Sequence, residues 1–304
     1  MKKYMMMFIM LLFTFILTAC GGFYEYVEGK VNIVATTTML GDLSKQIGGD
    51  KVAVTTLMGV GVDPHSYAAK ASDTNALTKS DFIVYGGLHL EGKMVDVLDQ
   101  LSNEKASLNS GMALISSGGS LLYDSKGNTD PHIWFNVENW IVVAESLVEK
   151  LSEYDADNAE YYLTRGNKYI KELQDLNEWI ISQVQELEED KRILVTAHDA
   201  FQYFADAYGF QVEAIQGIST ESEASISNIN NLVDLVIEKN VKAIFVENSV
   251  PQKTIDSVIA SSKSRNYTLE IGGELYSDSL GNGIDAEYIQ AVKTNVSTIV
   301  NALK

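Results

Sequence analysis

The sequence predicts an α/β protein of two lobes, each a mostly parallel sheet flanked by helices, joined by one long rigid helix. Short apolar runs alternate with amphipathic stretches in both halves of the chain, which is typical of parallel sheets covered by helices. A long proline-free stretch with helical spacing of its apolar residues separates the two halves. With 304 residues, 46% of them hydrophobic, the chain is long enough for two such lobes.

The chain begins like a secreted bacterial lipoprotein. Two lysines precede an apolar run from Met5 to Leu17, which is too short for the roughly 20 residues needed to cross a bilayer. The run ends in Leu17-Thr18-Ala19-Cys20, which resembles a lipobox, where the cysteine is acylated and becomes the new N-terminus. We therefore predict a signal peptide at 1–19, lipidation of Cys20 and a lipidated tether at 20–30. The alternative is a buried free cysteine after an ordinary signal peptide.

The N-terminal α/β lobe is predicted to cover residues 31–154. Runs rich in β-branched residues predict strands, and the amphipathic stretches between them predict helices. In chain order, these are a strand at Val31–Thr36, a helix near Leu40–Ile47, a strand at Val52–Leu57, a helix near Ser72–Lys79 and a strand at Phe82–Tyr85.

The linking helix is predicted over residues 155–190. The stretch from Asp155 to Glu189 has no proline and one glycine, and its apolar residues mostly follow three- and four-residue steps. At about 1.5 Å per residue it would extend about 45 Å, so we expect a stiff connection between the lobes.

The C-terminal α/β lobe is predicted over residues 191–304, where a second alternating series follows the linking helix. Its segments are Ile193–Thr196, Phe201–Tyr208, Asn228–Glu238, Ala243–Val246, Lys253–Ser261 and Thr268–Ile271.

Composition excludes several classes of function. The formal net charge of −18 and the isoelectric point near 4.6 argue against nucleic acid as a partner, because binding its phosphates needs clustered cations. A single cysteine excludes an intramolecular disulfide framework, thiolate zinc clusters and iron–sulfur sites. Any metal must therefore be held by His, Asp or Glu. The segment from Gly87 to Lys93 has most of a P-loop, but Met94 stands where a Ser or Thr should hold magnesium.

The four histidines are the candidate metal ligands. His65 and His132 each follow an Asp-Pro pair, which restricts the backbone and presents the imidazole from a stiff loop. His198 follows the predicted strand Ile193–Thr196, and Asp278 follows the predicted strand Thr268–Ile271. Ligands of open α/β sheets bind beyond the carboxyl ends of such strands. The separations match no short metal motif. The residues alone therefore leave two readings open: a shared site, or incidental turn and core histidines.

Five segments together resemble the cluster A-I, or TroA-like, metal-binding lipoproteins of manganese and zinc ABC transporters. The resemblance covers the chain from about Val31 to its C-terminus. The segments that carry it are Val62–Tyr67, Gly87–Gly92, Asp130–Trp134, Thr196–Phe204 and Leu275–Asp278.

The resemblance implies two metal ligands from each lobe. These are His65 and His132 from the first lobe, and His198 and Asp278 from the second. His89 is not among them, and we expect it to be hydrogen-bonded within the first lobe, the alternative being a reserve ligand. Some members of the family have glutamate at the position of His198. Zinc importers often carry a His-rich loop in the first lobe, and the stretch from Leu101 to Thr129 has no histidine.

Three carboxylates are candidates for orienting the imidazoles by accepting hydrogen bonds from them. They are Asp63, Asp130 and Glu247. For each, the alternative is a capping or turn role.

The function implied is capture of one divalent metal ion, Mn²⁺ or Zn²⁺ and less readily Fe²⁺, as a transported ligand. The implied partners are an ABC permease and its ATPase subunit, and the membrane through lipid on Cys20. We expect a monomer, not an enzyme, in the cell envelope, on the outer face of the cytoplasmic membrane or in the periplasm. The alternatives are an envelope zinc hydrolase and a surface adhesin with a structural metal.

Overall fold

The computed structural model describes residues 24–304. The predicted signal peptide, Cys20 and the first residues of the predicted tether lie outside the described residues. Within the described part of the chain, no helix has the length and apolar character needed to span a membrane. The end of the predicted tether contacts the first lobe, because the backbone N–H of Val27 donates to Asn32 Oδ1 at 2.7 Å.

The first lobe is a four-stranded parallel sheet in the order β2-β1-β3-β4. The strands β1 and β3 are buried along their whole length, so they form continuous apolar runs, as central parallel strands do. The sequence did not indicate β4, which has only one fully buried residue. The strands are β1 (Val31–Ala35), β2 (Val52–Thr56), β3 (Phe82–Tyr85) and β4 (Ala106–Asn109).

Five helices accompany this sheet in the described part of the first lobe. The first two were predicted to within a few residues. The helices are α1 (Thr38–Gly48), α2 (Ala71–Lys79), α3 (Val95–Glu104), α4 (Ser110–Ser116) and α5 (Val137–Tyr154).

The linking helix α6 spans Ala159–Val184, inside the predicted segment of residues 155–190 but shorter at both ends. At its start the Asp155 carboxylate accepts hydrogen bonds from Asn158 and from the hydroxyl of Tyr162, which holds a short 3₁₀ turn before the helix. Its 26 residues give about 39 Å. The helix packs against α1 and α5 on one side and against the last helix of the second lobe.

The second lobe contains two parallel strand pairs, β5 with β6 and β7 with β8, and β5 lies beside β7. The sequence did not indicate β6, whose polar residues are partly exposed, or the C-terminal helix α10. The elements are β5 (Ile193–His198), α7 (Gln202–Tyr208), β6 (Gln211–Gln216), α8 (Ile226–Glu238), β7 (Ala243–Glu247), α9 (Lys253–Ser264), β8 (Glu270–Leu275) and α10 (Tyr288–Leu303).

One hydrophobic core runs through both lobes. It includes Ile33 from β1, Leu173 from α6 and Ile299 from α10, all fully buried. Polar contacts join the lobes as well, since the hydroxyl of Tyr288 in α10 donates to the carbonyl of Trp134 at 2.6 Å. The two-lobed α/β fold with a joining helix is thus confirmed.

Candidate metal centre

Three histidines and one aspartate converge from four separate segments of the chain. His65 lies in the loop after β2, and His132 directly precedes a short 3₁₀ turn. His198 is the last residue of β5, and Asp278 follows β8. The structure therefore brings together all four residues that the family resemblance implied as ligands.

The two Asp-Pro-His segments fold in the same way. The Asp63 carboxylate accepts a hydrogen bond from the backbone N–H of His65, and Asp130 does the same for His132, both at 2.9 Å. Such a bond from a residue two positions later is an Asx turn, and the intervening proline fixes one of its dihedral angles. Each imidazole is thus presented from a locally stiff loop.

The four side chains form one compact, buried group. Each offers a donor atom that lies within 4.8 Å of the other three. His132 Nε2 is 3.3 Å from both His65 Nε2 and His198 Nε2, and 3.4 Å from Asp278 Oδ1. All four residues are at most 2% exposed.

This donor set fits a divalent transition-metal ion. A tetrahedral ion with bonds of about 2.0–2.1 Å requires donor atoms about 3.4 Å apart, which is close to the distances around His132 Nε2. Asp278 Oδ1 is buried and has no hydrogen-bond donor among the described residues, so it retains lone pairs for an ion. Three imidazoles and one carboxylate are ligands that zinc and related metals accept.

Two imidazoles are held by carboxylates on their other ring nitrogen. His132 Nδ1 is 2.7 Å from Asp130 Oδ1, and His198 Nδ1 is 2.5 Å from Glu247 Oε2. The second oxygen of Glu247 accepts backbone N–H groups of Ala197 and His198, both at 2.8 Å. These contacts direct each Nε2 toward the centre of the group.

Asp63, the third candidate for orienting an imidazole, has different contacts. Besides the backbone of His65, it accepts hydrogen bonds from the hydroxyl groups of Ser66 at 2.7 Å and Thr220 at 2.6 Å. Its described contacts therefore hold the loop backbone and connect it to the second lobe. They do not include a ring nitrogen.

The four groups shift one another's pKa. Burial lowers the pKa of His65 to about 4. Burial also acts to lower the pKa of His132, but Asp130 and Asp278 outweigh it and raise that pKa to about 9. At His198, burial is outweighed by Glu247 and Asp278, which hold the pKa well above its usual value.

The carboxylate of the group is shifted in the opposite direction. Burial acts to raise the pKa of Asp278, but His198 and the other two histidines hold it well below its usual value. The metal-free site therefore combines the ionised carboxylate of Asp278 with the protonated imidazoles of His132 and His198. Because metal-bound imidazoles must be neutral, an arriving cation replaces those protons.

His89 and the P-loop-like segment lie outside this group. His89 is exposed, and its φ of 63° places it in the left-handed region of a tight loop. The Glu91 carboxylate accepts hydrogen bonds from the backbone N–H groups of Gly86 and Gly87 and from the Thr36 hydroxyl. Those N–H groups are satisfied by the chain's own carboxylate and are not arranged as a phosphate cradle.

Three residues near the site were missed from the sequence. The Trp134 ring packs edge-on against His132, with centroids 5.2 Å apart, and its indole N–H donates to the carbonyl of Ser277. Asn248 and Ser249 directly follow Glu247 and contact the Asp278 segment. Their position just beyond β7 was the available signal, because polar residues at that edge face the site.

Comparisons with known proteins match this chain to metal-binding proteins along most of its length. The family model of "Zinc-uptake complex component A periplasmic" matches residues 33–302. The manganese-binding lipoprotein MntA of Bacillus subtilis (strain 168) is 40% identical over 296 residues, covering 96% of each chain.

The zinc-binding protein TroA of Treponema pallidum (strain Nichols) is 36% identical over 278 residues, covering 91% of this chain and 90% of that protein. The solved structure of the periplasmic zinc-binding protein TroA superposes with a TM-score of 0.87 and 36% identity, covering 90% of this chain and 99% of that one.

Proposed function

The chain belongs to the family of the periplasmic zinc-uptake complex component A. We propose that it captures one divalent metal ion through His65, His132, His198 and Asp278. It is a metal-binding, substrate-binding lipoprotein of a manganese or zinc ABC importer. The observation that carries the ligand assignment is the convergence of four buried donor groups from both lobes on one point.

The division of the ligands between the lobes explains capture and release. His65 and His132 belong to the first lobe, and His198 and Asp278 to the second. Metal bonds tolerate changes of only about 0.2 Å, so a small displacement of one lobe breaks two of them at once. A partner that separates the lobes slightly can therefore release the ion.

The ion is either Zn²⁺ or Mn²⁺, with Fe²⁺ as a less favoured candidate. The relatives are divided, since one is described as manganese-binding and another as zinc-binding. We propose that the purified protein binds Zn²⁺ more tightly, because three nitrogen donors favour it over Mn²⁺.

Membership in the family also gives the partners and the compartment. A substrate-binding component of an ABC importer works with a permease and an ATPase subunit, outside the cytoplasm and at the membrane. We propose that the protein is a monomer and that lipid on Cys20 anchors it to a membrane. It would then lie on the outer face of the cytoplasmic membrane or in the periplasm. Cell fractionation of Cys20→Ala checks this, and an unchanged membrane fraction would refute the anchor.

The ligand count favours binding over catalysis. Catalytic zinc usually has three protein ligands and keeps an open position for water. Four protein side chains converge here, and the family consists of substrate-binding proteins of transporters. The comparisons do not support the hydrolase or adhesin alternatives.

Elemental analysis of protein purified without chelator tests the proposal directly. We expect one equivalent of transition metal per chain, removal by a chelator, and recovery of one equivalent on adding Zn²⁺. A protein that takes up no metal above the level of a His65→Ala/His198→Ala double variant would refute the proposal.

A further inference from the structure

Glu247, the last residue of β7, and the two residues that follow it hold the site's second-lobe side chains in place. Glu247 contacts the ring of His198. The Asn248 amide donates to backbone carbonyl groups just beyond Asp278, at 3.1 and 3.3 Å. The Ser249 hydroxyl lies 3.2 Å from Asp278 Oδ2. Apart from the three histidines, Ser249 is the residue whose side chain contacts this carboxylate in the described part of the chain.

The two oxygens of Asp278 therefore differ. Oδ1 has no hydrogen-bond donor among the described residues and faces His132 Nε2 at 3.4 Å. Oδ2 faces His198 Nε2 at 3.3 Å and also accepts the hydroxyl of Ser249. Both oxygens face imidazole nitrogens, but among the described residues only Oδ2 also accepts a hydrogen bond from a hydroxyl group.

A second serine fixes the direction of that hydroxyl. Ser249 Oγ is 2.9 Å from Ser277 Oγ. Because a hydroxyl has one hydrogen, Ser249 donates to Asp278 when it accepts from Ser277, and this arrangement satisfies both contacts. The carbonyl of Ser277 is in turn held by the indole N–H of Trp134 from the first lobe. Both serines are buried, so water competes little for these bonds.

We propose that Ser249 is a specificity-determining residue, which makes Asp278 bind the metal ion through one oxygen. This inference rests on the proposed function. A carboxylate that coordinates through one oxygen keeps the donor number at four, which suits Zn²⁺. Manganese prefers more oxygen donors, which a two-oxygen carboxylate would supply. The hydroxyl thus favours Zn²⁺ over Mn²⁺ without touching the ion.

The test is the Ser249→Ala variant, with two readouts that a purely structural role would not change. The first is the visible spectrum of the Co²⁺-loaded protein, which absorbs strongly when the ion is four-coordinate and weakly at higher coordination. The second is direct competition between Zn²⁺ and Mn²⁺. We expect Co²⁺ absorption to weaken and the Zn²⁺/Mn²⁺ affinity ratio to fall by about tenfold, typical of losing a partner of a metal ligand.

Two further variants serve as controls. Ser44→Ala removes a buried hydroxyl that donates to the carbonyl of Leu40 in α1 and touches none of the four ligands, and it should leave both readouts unchanged. Ser249→Thr keeps the hydroxyl, and Ser249 lines a cavity of about 640 Å³, which leaves room for an added methyl group. It should restore the parent spectrum and ratio.

The outcomes separate the inference from the proposed function. A folded Ser249→Ala protein with the parent's spectrum and ratio overturns the inference alone. The same holds if Ser249→Thr behaves like Ser249→Ala. A parent protein that binds no metal overturns the proposed function, and the inference with it.

Discussion

Two of the three imidazoles of the site are oriented by contacts of their other ring nitrogen. His132 and His198 are each held by a carboxylate, whereas burial keeps His65 neutral with a pKa of about 4. The three histidines thus differ in their protonation although they are neighbours. All three imidazoles are neutral together only when a bound metal ion has replaced the protons on His132 and His198.

The first prediction concerns the ligands themselves. Separate changes of His65, His132, His198 and Asp278 to Ala should each weaken Zn²⁺ binding by more than about 100-fold, because each removes a direct donor. Competition with a chromophoric chelator measures this.

His89→Ala is the matched control, because that histidine is exposed and lies outside the group. It should bind like the parent. If His89→Ala lost binding while His132→Ala kept it, the ligand assignment would be wrong.

The second prediction concerns pH. The pKa of His132 is about 9, above the value of about 6.5 for an unfolded chain. Its contribution to the stability of the metal-free protein is therefore complete below pH 6.5 and is lost as pH rises toward 9. Metal binding has the opposite dependence, because it needs neutral imidazoles.

The increase in melting temperature caused by Zn²⁺ should therefore grow between pH 6 and pH 8 at a fixed free-metal concentration. Differential scanning calorimetry of both forms measures it, and the affinity should fall on acidification in the same range. Equal increases at the two pH values would show that these histidines do not hold the ion.

The most important single element is α6. It packs against α1 and α5 of the first lobe and against α10 of the second. Gly166 lets α5 and α6 approach closely, because a Cβ at that position would collide with the side chain of Val148. The buried residues of α6 run from Tyr162 to Val184, so one face of the helix packs against the protein along its length.

The third prediction concerns motion. Because α6 and the shared core connect the lobes, metal binding should tilt one lobe only slightly relative to the other and order nearby loops. A wide closure of the two lobes is not expected. Small-angle scattering of metal-free and Zn²⁺-bound protein should show radii of gyration within about 1 Å of each other. A change of several ångströms would refute the stiff connection.

At the scale of the whole molecule, the two lobes set the geometry that an ion must accept. Donor type alone predicts a preference for Zn²⁺, since three of the four ligands are imidazoles. The spacing of the donors around His132 Nε2, 3.3–3.4 Å, also matches a tetrahedral ion. Chemistry and geometry thus favour the same metal.

The fourth prediction is that Zn²⁺ outcompetes Mn²⁺ on the purified protein. Replacing His198 by Glu exchanges a nitrogen donor for a charged oxygen and should narrow that preference. Direct competition of the two metals on both proteins is the measurement. If the parent prefers Mn²⁺, the coordination number imposed by the lobes must outweigh donor type.

The sequence predicted the elements whose apolar residues are buried on both faces, such as β3, whose bounds agree with the structure. It did not indicate β4 or β6, because partly exposed strands carry polar residues that resemble loops. It overestimated the length of α6, because the contact of Asp155 with Tyr162 interrupts a helical pattern that continues in the sequence.

For the site, the residue types and the two stiff Asp-Pro-His loops could be predicted from the sequence, since both depend on local chemistry. The different roles of the two aspartates required the folded structure, in which Asp130 contacts an imidazole while Asp63, in the same motif, accepts a hydrogen bond from Thr220 of the second lobe. It also placed Ser249 on Asp278. The contact of Asp63 with Thr220 joins the two lobes, and that of Ser249 with Asp278 joins two loops of the second lobe. Both depend on tertiary packing, which local sequence patterns do not encode.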